Sequence, residues 1–168
     1  MSDTTSAILD AAEKRIRGGG YNGFSFRDVA ADVGVKASSV HYHFPAKEKL
    51  AAAVARRYTD RFMAAVDAEV MAGLDVVQAW RQVFRAALVR DGRMCLCGAL
   101  AATSHDLAEE VRVEVKRFFA LGIDKLQEGG LGHDAAVRVL ATLEGAMLTA
   151  NILDDQSLFE SGSAALAS

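Results

Sequence analysis

The sequence contains very little proline and cysteine. Its 168 residues include one proline, Pro45, and two cysteines, Cys95 and Cys97. Long stretches are therefore free to form uninterrupted helices, because proline is the residue that most strongly breaks a helix. Two cysteines that are one residue apart do not form the disulfide framework of a small secreted domain. We expect a helical protein of a reducing compartment, the cytoplasm.

Long apolar runs and signal sequences are also missing. No apolar run reaches the roughly 18 residues that span a membrane. The first residues, MSDTTSAILDAAEKR, have no basic segment followed by an apolar core, so they do not form a signal peptide. We therefore expect no association with a membrane.

Motifs for catalysis are absent as well. The sequence shows no Ser-His-Asp set, no paired carboxylates and no phosphate-binding loop. Cys95, Cys97 and His105 offer three metal ligands without a fourth, which is a weak basis for a metal site. We expect no enzyme, no cofactor and no metal.

Charge is distributed unevenly along the chain, although the net charge is only -3. Residues 1–57 hold nine Lys or Arg and six Asp or Glu, whereas residues 58–168 hold ten and sixteen. A basic first third on an acidic remainder favours contact between that third and a polyanion.

Apolar residues recur at helical spacing in most of the chain. This periodicity predicts an all-α protein, with long helices over residues 4–18, 46–72, 75–90, 106–128 and 134–153. We expect two domains, an N-terminal three-helix domain over residues 1–46 and a helical domain over residues 47–168.

Residues 25–45 have the pattern of a helix-turn-helix motif. Ser25 is a good N-cap for the segment FRDVAADVG, and Gly34 suits the left-handed turn after it. A second short helix begins near residue 37 or 38 and ends near Phe44, before Pro45. A helix, a tight turn and a second short helix make this motif.

The second short helix is polar on its outer side. Val29, Ala30 and Val40 belong to a small shared core, which leaves these residues outside it: Lys36, Ser38, Ser39, His41, Tyr42 and His43. Such a helix fits the major groove of DNA, where hydroxyl and imidazole groups bond to base edges and phosphates.

The stretch FSFRDVAADVGVKASSVHYHFPAKEKL resembles the DNA-binding domain of the TetR family of transcriptional regulators. The resemblance covers residues 6–56. The chain departs from the family pattern at Ser38, where glycine is frequent, and at Ala46, where serine is frequent. The resemblance implies these contacts with double-stranded operator DNA: Ser25, Arg27, Lys36, Ser38, Ser39, His41, Tyr42, His43 and Lys47.

For the rest of the chain, the resemblance implies a body that binds a small effector and forms a homodimer. Dimerisation is expected through residues 106–128 and 134–153, with an outer face of Ala141, Glu144, Gly145 and Leu148. The expected effector pocket consists of Tyr58, Phe62, Trp80, Phe84, Met94, Phe118, Phe119 and Met147, although each of these side chains equally suits plain core packing.

The function implied is a repressor that binds a palindromic operator and is released by a small apolar or electrophilic effector. One alternative is a thiol-based sensor in which Cys95 or Cys97 reacts, since Arg93 lies nearby in sequence and can lower a thiol pKa. Another alternative for these cysteines is simple helix packing. A DNA-binding dimer without an effector and a small helical enzyme are weaker alternatives.

Overall fold

The computed structural model describes residues 3–166, apart from the side chains of Asp91 and Ser104. Within this range the chain is helical and has no strand. The helices are α1 Asp3–Gly19, α2 Phe26–Val33, α3 Ala37–His43, α4 Lys47–Met71, α5 Val76–Asp91, α6 Leu96–Ala101, α7 Glu109–Glu128, α8 His133–Ile152 and α9 Ser157–Ser163. Short 3-10 turns cover Tyr21–Gly23, Ser104–Asp106 and Ala164–Leu166. The all-α prediction is confirmed.

The chain divides into two compact units. The first contains residues up to Tyr58 and Leu96–Lys116, and the second contains Thr59–Cys95 and the residues from Arg117 onward. Both α4 and α7 are continuous helices that contribute to each unit. The functional boundary predicted between residues 46 and 47 is a different division and stays a prediction.

The start of α2 is fixed by a reciprocal cap in the first unit. The Ser25 Oγ atom accepts a hydrogen bond from the Asp28 N–H at 3.2 Å, and the Ser25 N–H donates to the Asp28 carboxylate at 2.9 Å. The Ser25 hydroxyl also donates to this carboxylate at 2.6 Å, and this bond together with the one from the Ser25 N–H lowers the pKa of Asp28, because both stabilise its charged form. The cap thus gives hydrogen-bond partners to the N–H groups of Ser25 and Asp28, which have no partner within the helix.

The turn between α2 and α3 depends on Gly34. This residue has φ 75° and ψ 30°, a left-handed conformation that is costly for residues with a Cβ atom. The Val35 N–H donates to the Ala30 carbonyl at 3.0 Å and closes the turn. The direction of α3 therefore follows from a glycine that the sequence places at the end of α2.

The N-terminal half of α4 is joined by ion pairs to the other helices of the first unit. Arg57 contacts Asp10 of α1 at 2.7 Å and Glu13 of α1 at 3.3 Å. Two further pairs reach α7: Lys49 with Glu110 at 2.7 Å, and Arg56 with Glu114 at 2.5 Å. The Glu114 side chain is largely buried, which makes the last pair the less solvent-screened of the two.

The core of the second unit is built on four aromatic rings. Phe62 lies 5.1 Å from Phe84 and 5.3 Å from Phe118, between ring centroids, and Trp80 lies 5.4 Å from Phe62. Trp80, Phe84 and Phe118 are completely buried. Rings in such edge-to-face and tilted contacts fill space densely, so this part of the interior is packed.

Among the described residues, α8 is the one helix that is long and apolar enough to cross a membrane, judged by length and composition. Core helices of water-soluble proteins pass the same test. Seven α8 residues are buried in the core of the second unit: Ala136, Val139, Leu140, Leu143, Ala146, Met147 and Ala150.

Candidate functional site

The outer face of α3 is open to solvent. Val40 is completely buried and anchors the helix to the first unit, whereas Lys36, Ser38 and Tyr42 are exposed. The Tyr42 ring is 86% exposed, which is unusual for a large aromatic side chain. The helix therefore presents polar and aromatic groups outward while one apolar residue holds it in place.

The two histidines of α3 are restrained by contacts within the first unit. The His43 Nδ1 atom hydrogen-bonds with the Thr5 hydroxyl of α1 at 3.2 Å, and its ring packs edge-on against Tyr42 at 5.3 Å. The His41 ring packs against Phe26 of α2 at 4.5 Å. His43 consequently links Tyr42 to α1, so it acts on the position of Tyr42 as well as being a candidate contact.

Lys47, the first residue of α4, is held between two aromatic rings. Its Nζ atom lies 4.7 Å from the centroid of Tyr21 and 4.7 Å from that of Phe24. Partial burial lowers the pKa of Lys47, and the negative faces of the two rings offset the lost hydration of the ammonium group. The rings leave this cation fixed in position at the start of a helix.

Some basic residues of the first unit are engaged in ion pairs and others are not. Arg15, Lys49, Arg56 and Arg57 are bound to carboxylates, and Arg15 bonds to Asp32 through two nitrogens. By contrast, Arg27, Lys36 and Lys47 form no ion pair with any residue between 3 and 166. These three cations are among the residues that the sequence predicts to contact DNA.

Most residues of the predicted effector pocket belong to the aromatic core of the second unit. Phe62, Trp80, Phe84 and Phe118 pack against one another, Phe119 is half-buried beside Phe118, and Met147 is buried. Tyr58 is buried in the first unit and Met94 is half-buried. The pocket stays a prediction.

A separate groove of about 200 Å³ lies between α5 and α9 in the second unit. Its lining residues are Arg85, Leu88, Val89, Gln156, Ser157, Phe159 and Glu160. Glu160 is bound by Arg85 at 2.5 Å and also by Arg81, so its charge is neutralised. None of the predicted pocket residues lines this groove.

Both cysteines are completely buried. Cys95 belongs to the second unit, where its N–H donates to the Sδ atom of Met147 at 2.9 Å. Cys97 lies in α6 of the first unit. Complete burial agrees with a packing role, because reactive thiols are normally accessible and close to positive charge.

Glu144 of α8 is the unexpected residue of the second unit. The sequence predicts it on an outer face with Ala141 and Gly145, but its two carboxylate oxygens are shielded from solvent and have no hydrogen-bond donor among the described residues. Burial raises the pKa of Glu144 from 4.5 to about 7. The Cys95 thiol acts in the opposite direction as a weak donor, but it does not reach hydrogen-bonding geometry with either oxygen.

Sequence reasoning missed the residues that support the exposed groups. Thr5 holds His43, and Tyr21 and Phe24 hold Lys47, yet the periodicity of the chain shows only that these residues flank helices. Glu144 carried one signal: it is an acidic residue within the most apolar helix of the chain.

Comparison with known proteins agrees with the exposed helix-turn-helix. The family model of bacterial regulatory proteins, tetR family, matches residues 8–54. A TetR transcriptional regulator from Legionella pneumophila is 30% identical with a TM-score of 0.89, over 99% of this chain and 97% of that one. A TetR-family regulator from Agrobacterium tumefaciens is 27% identical with a TM-score of 0.88, over 98% and 96% of the two chains.

A more distant structure, that of reduced NemR from E. coli, shares the fold: the identity is 20% and the TM-score 0.81, over 98% of this chain and 95% of that one. Comparison with curated proteins gives no match.

A helix-turn-helix with an open outer face, followed by a helical body, defines a class of DNA-binding transcriptional regulators. The chain belongs to the TetR family of these bacterial regulators.

The raised pKa of Glu144 has a direct consequence for stability. Because the folded-state pKa lies above the ordinary value, the folded protein binds the proton more tightly, and the free energy of unfolding falls as the pH rises from 4.5 through 7. Glu144→Gln removes the buried charge. At pH 8 it is expected to raise the free energy of unfolding by up to about 3 kcal/mol, whereas at pH 4.5 the change is expected to be small.

Urea unfolding at both pH values, at one protein concentration, measures this difference. Glu128→Gln is the matched control, because Glu128 is exposed at the end of α7. A stabilisation by Glu144→Gln that is equal at the two pH values would show that the pKa of Glu144 is not raised in the folded protein.

Proposed function

We propose that this protein is a ligand-responsive transcriptional repressor of the cytoplasm, which binds a palindromic operator as a homodimer and has no catalytic activity. The observation that carries this proposal is the outer face of α3, where Tyr42 stands exposed. Arg27, Lys36 and Lys47, which belong to the helix-turn-helix or to the helix start after it, form no ion pair with the residues that the structure describes. Cations that are not engaged in ion pairs are suited to replace the counterions of phosphate groups.

Different residues of the head have different roles in this proposal. Phosphate contacts set the position of α3 on the duplex, and they come from Tyr42, His43, Lys47, Arg27 and Lys36. Ser38, Ser39 and His41 lie on α3, the helix that enters the major groove, and are the candidates for reading base edges. Ser25 contacts the backbone from the start of α2, where it also forms the cap.

The homodimer is proposed to form mainly through α8. One face of α8 carries a stripe of exposed residues that are mostly apolar or small: Val137, Ala141, Gly145, Leu148 and Ile152. They lie on one face because they are spaced three or four residues apart. Ile152 is 75% exposed. Small residues in the middle of the stripe allow a second copy of the helix to approach closely.

The helix α7 fits a smaller part of such an interface than the sequence predicts. Its exposed positions include Lys116 and Asp124 beside Val113 and Ala120. Charged residues are depleted from the centre of protein interfaces and tolerated at the rim. We therefore place α7 at the edge of the dimer contact and α8 at its centre.

An effector releases the operator only if it binds the DNA-incompetent state more tightly than the competent one. The helix α4 is suited to carry such a difference, because it is one unbroken helix from Lys47 to Met71. Lys47, at its first position, is a proposed phosphate contact. A small rotation of α4 therefore changes the position of a DNA-binding group directly.

Thiol sensing is the second candidate for the mode of release. The complete burial of Cys95 and Cys97 favours release by a non-covalent ligand, because an oxidant or electrophile has to reach the sulfur. The double variant Cys95→Ala, Cys97→Ala separates the two modes. If a thiol is the sensor, the variant is expected to lose the release of operator DNA by diamide or peroxide. If a non-covalent ligand is the effector, the variant is expected to keep its response to that ligand.

DNA binding through α3 is tested with the region upstream of the protein's own gene. Tyr42→Ala is expected to weaken binding to all duplex sequences, because a phosphate contact carries no base information. Ser39→Ala is expected to change sequence preference by about 1–3 kcal/mol at one base position. Fluorescence anisotropy with specific and unrelated duplexes measures both, and binding by both variants that equals the wild type would contradict the assignment of α3.

The two rings around Lys47 yield a second test. Tyr21→Leu removes one π-face and is expected to cost about 0.5–1 kcal/mol in operator affinity, whereas Tyr21→Phe keeps the face and the affinity. In a Lys47→Ala background, Tyr21→Leu should have no further effect on binding. If Tyr21→Leu weakens binding equally in both backgrounds, the ring acts through folding of the head and not through Lys47.

The dimer is tested at Gly145, where a Cβ atom meets no other atom within 4 Å. Gly145→Arg therefore fits the single chain, but it places a long cation in the proposed contact between two copies. Analytical ultracentrifugation is expected to show a dimer for the wild type and a monomer for the variant at micromolar concentration. Ala64→Arg, at an exposed position of α4, is the control, and a wild-type protein that is monomeric at this concentration refutes the proposal.

A further inference from the structure

The carboxylate of Glu144 has no charged neighbour one helical turn away on its own helix. These neighbours are Leu140, Ala141, Met147 and Leu148, all of them apolar. Neither oxygen meets a donor among the described residues. A buried carboxylate without a partner is destabilising, and such a group in a native interior calls for an explanation in function.

The segment over residues 92–95 is attached to α8 next to this carboxylate. The Asn151 Nδ2 atom donates to the Gly92 carbonyl at 2.5 Å, and the Cys95 N–H donates to the Met147 sulfur at 2.9 Å. A thioether is a weak acceptor, so the second bond holds the segment only loosely. The segment connects α5 to α6, and its last residue, Cys95, lies beside Glu144.

Aromatic surface lies close to the same part of α8. The Trp80 ring and the Leu140 side chain both pack against Gly122 of α7. A Cβ atom on Gly122 would be 3.0 Å from Trp80 Cη2 and 3.0 Å from Leu140 Cδ1. Leu140 precedes Glu144 by one helical turn. Trp80 belongs to the four-ring cluster, and its buried indole N–H has no acceptor among the residues that the structure describes.

We propose that Glu144 is the recognition group for a positively charged organic effector, an ammonium compound with an apolar substituent, bound between α8, the 92–95 segment and the aromatic cluster. A cation replaces the missing counter-charge, and aromatic rings attract cations through their negative faces. A neutral ligand of the same shape leaves the carboxylate unpaired, and an anion is repelled. This inference names the effector class of the proposed repressor and rests on that function for its biological meaning.

The test uses the full-length wild-type protein and benzyltrimethylammonium as the probe. This ion keeps its charge at every pH, so any pH dependence of its binding reports a group on the protein. Isothermal titration is expected to show that its dissociation constant is at least ten-fold lower than that of neopentylbenzene, its uncharged isostere, or of phenylmethanesulfonate, its anionic counterpart. Between pH 8 and pH 5.5 the dissociation constant of the cation is expected to rise about 30-fold, because a group with a pKa of about 7 loses its charge over this interval.

Two variants connect the effect to Glu144. In Glu144→Gln the preference for the cation and the pH dependence are both expected to disappear, while Glu128→Gln keeps them. Glu144→Leu is a second variant, and circular dichroism confirms that each remains folded. Equal binding of the cation and its isostere, no saturable binding of the cation, or a pH dependence that persists in Glu144→Gln overturns the inference.

Operator binding is measured separately by fluorescence anisotropy with and without the cation. Cation binding that depends on Glu144 in a protein that binds no operator leaves this site intact and refutes the repressor. Operator binding by a protein that does not prefer the cation refutes this site and leaves the repressor intact.

Discussion

The burial of Val40 is the contact on which the DNA-binding face depends. The helix α3 has only seven residues, which is too short to be stable by itself in water. Its fixed position comes from Val40, which is completely buried, and from the turn at Gly34 that sets its direction. Because one apolar position anchors the helix, the other side remains open, and Ser38 and Tyr42 stay exposed to solvent.

Support for the outward groups comes from α1 and from the turn that follows it. Thr5 holds His43, which in turn contacts Tyr42, and the rings of Tyr21 and Phe24 hold Lys47. A side chain that is already ordered loses less conformational entropy when it binds. The first 24 residues therefore contribute to the site by positioning groups that lie later in the chain.

In the second unit, by contrast, polar groups are buried among apolar side chains. The aromatic cluster is dense, whereas Glu144 brings a carboxylate into an apolar helix and Trp80 brings an N–H group that has no acceptor among the described residues. Natural sequences violate the rules of packing and hydrogen bonding mainly at functional sites. The unsatisfied groups therefore support the proposed effector site more directly than the aromatic residues do, because aromatic residues fill the core of many helical proteins.

The sequence by itself determined the helices, the helix-turn-helix motif and the family, because these depend on local periodicity, on the Ser25 cap and on Gly34. It also determined which residues are basic, but not which of them are neutralised. Only the tertiary structure decided that Arg57 bonds to Asp10 and Glu13, more than forty residues away, while Arg27 and Lys36 form no ion pair with the described part of the chain. The burial of Glu144 was decided in the same way, because the covering segment comes from a distant part of the chain, and helical periodicity shows the face of a residue but not what is packed against it.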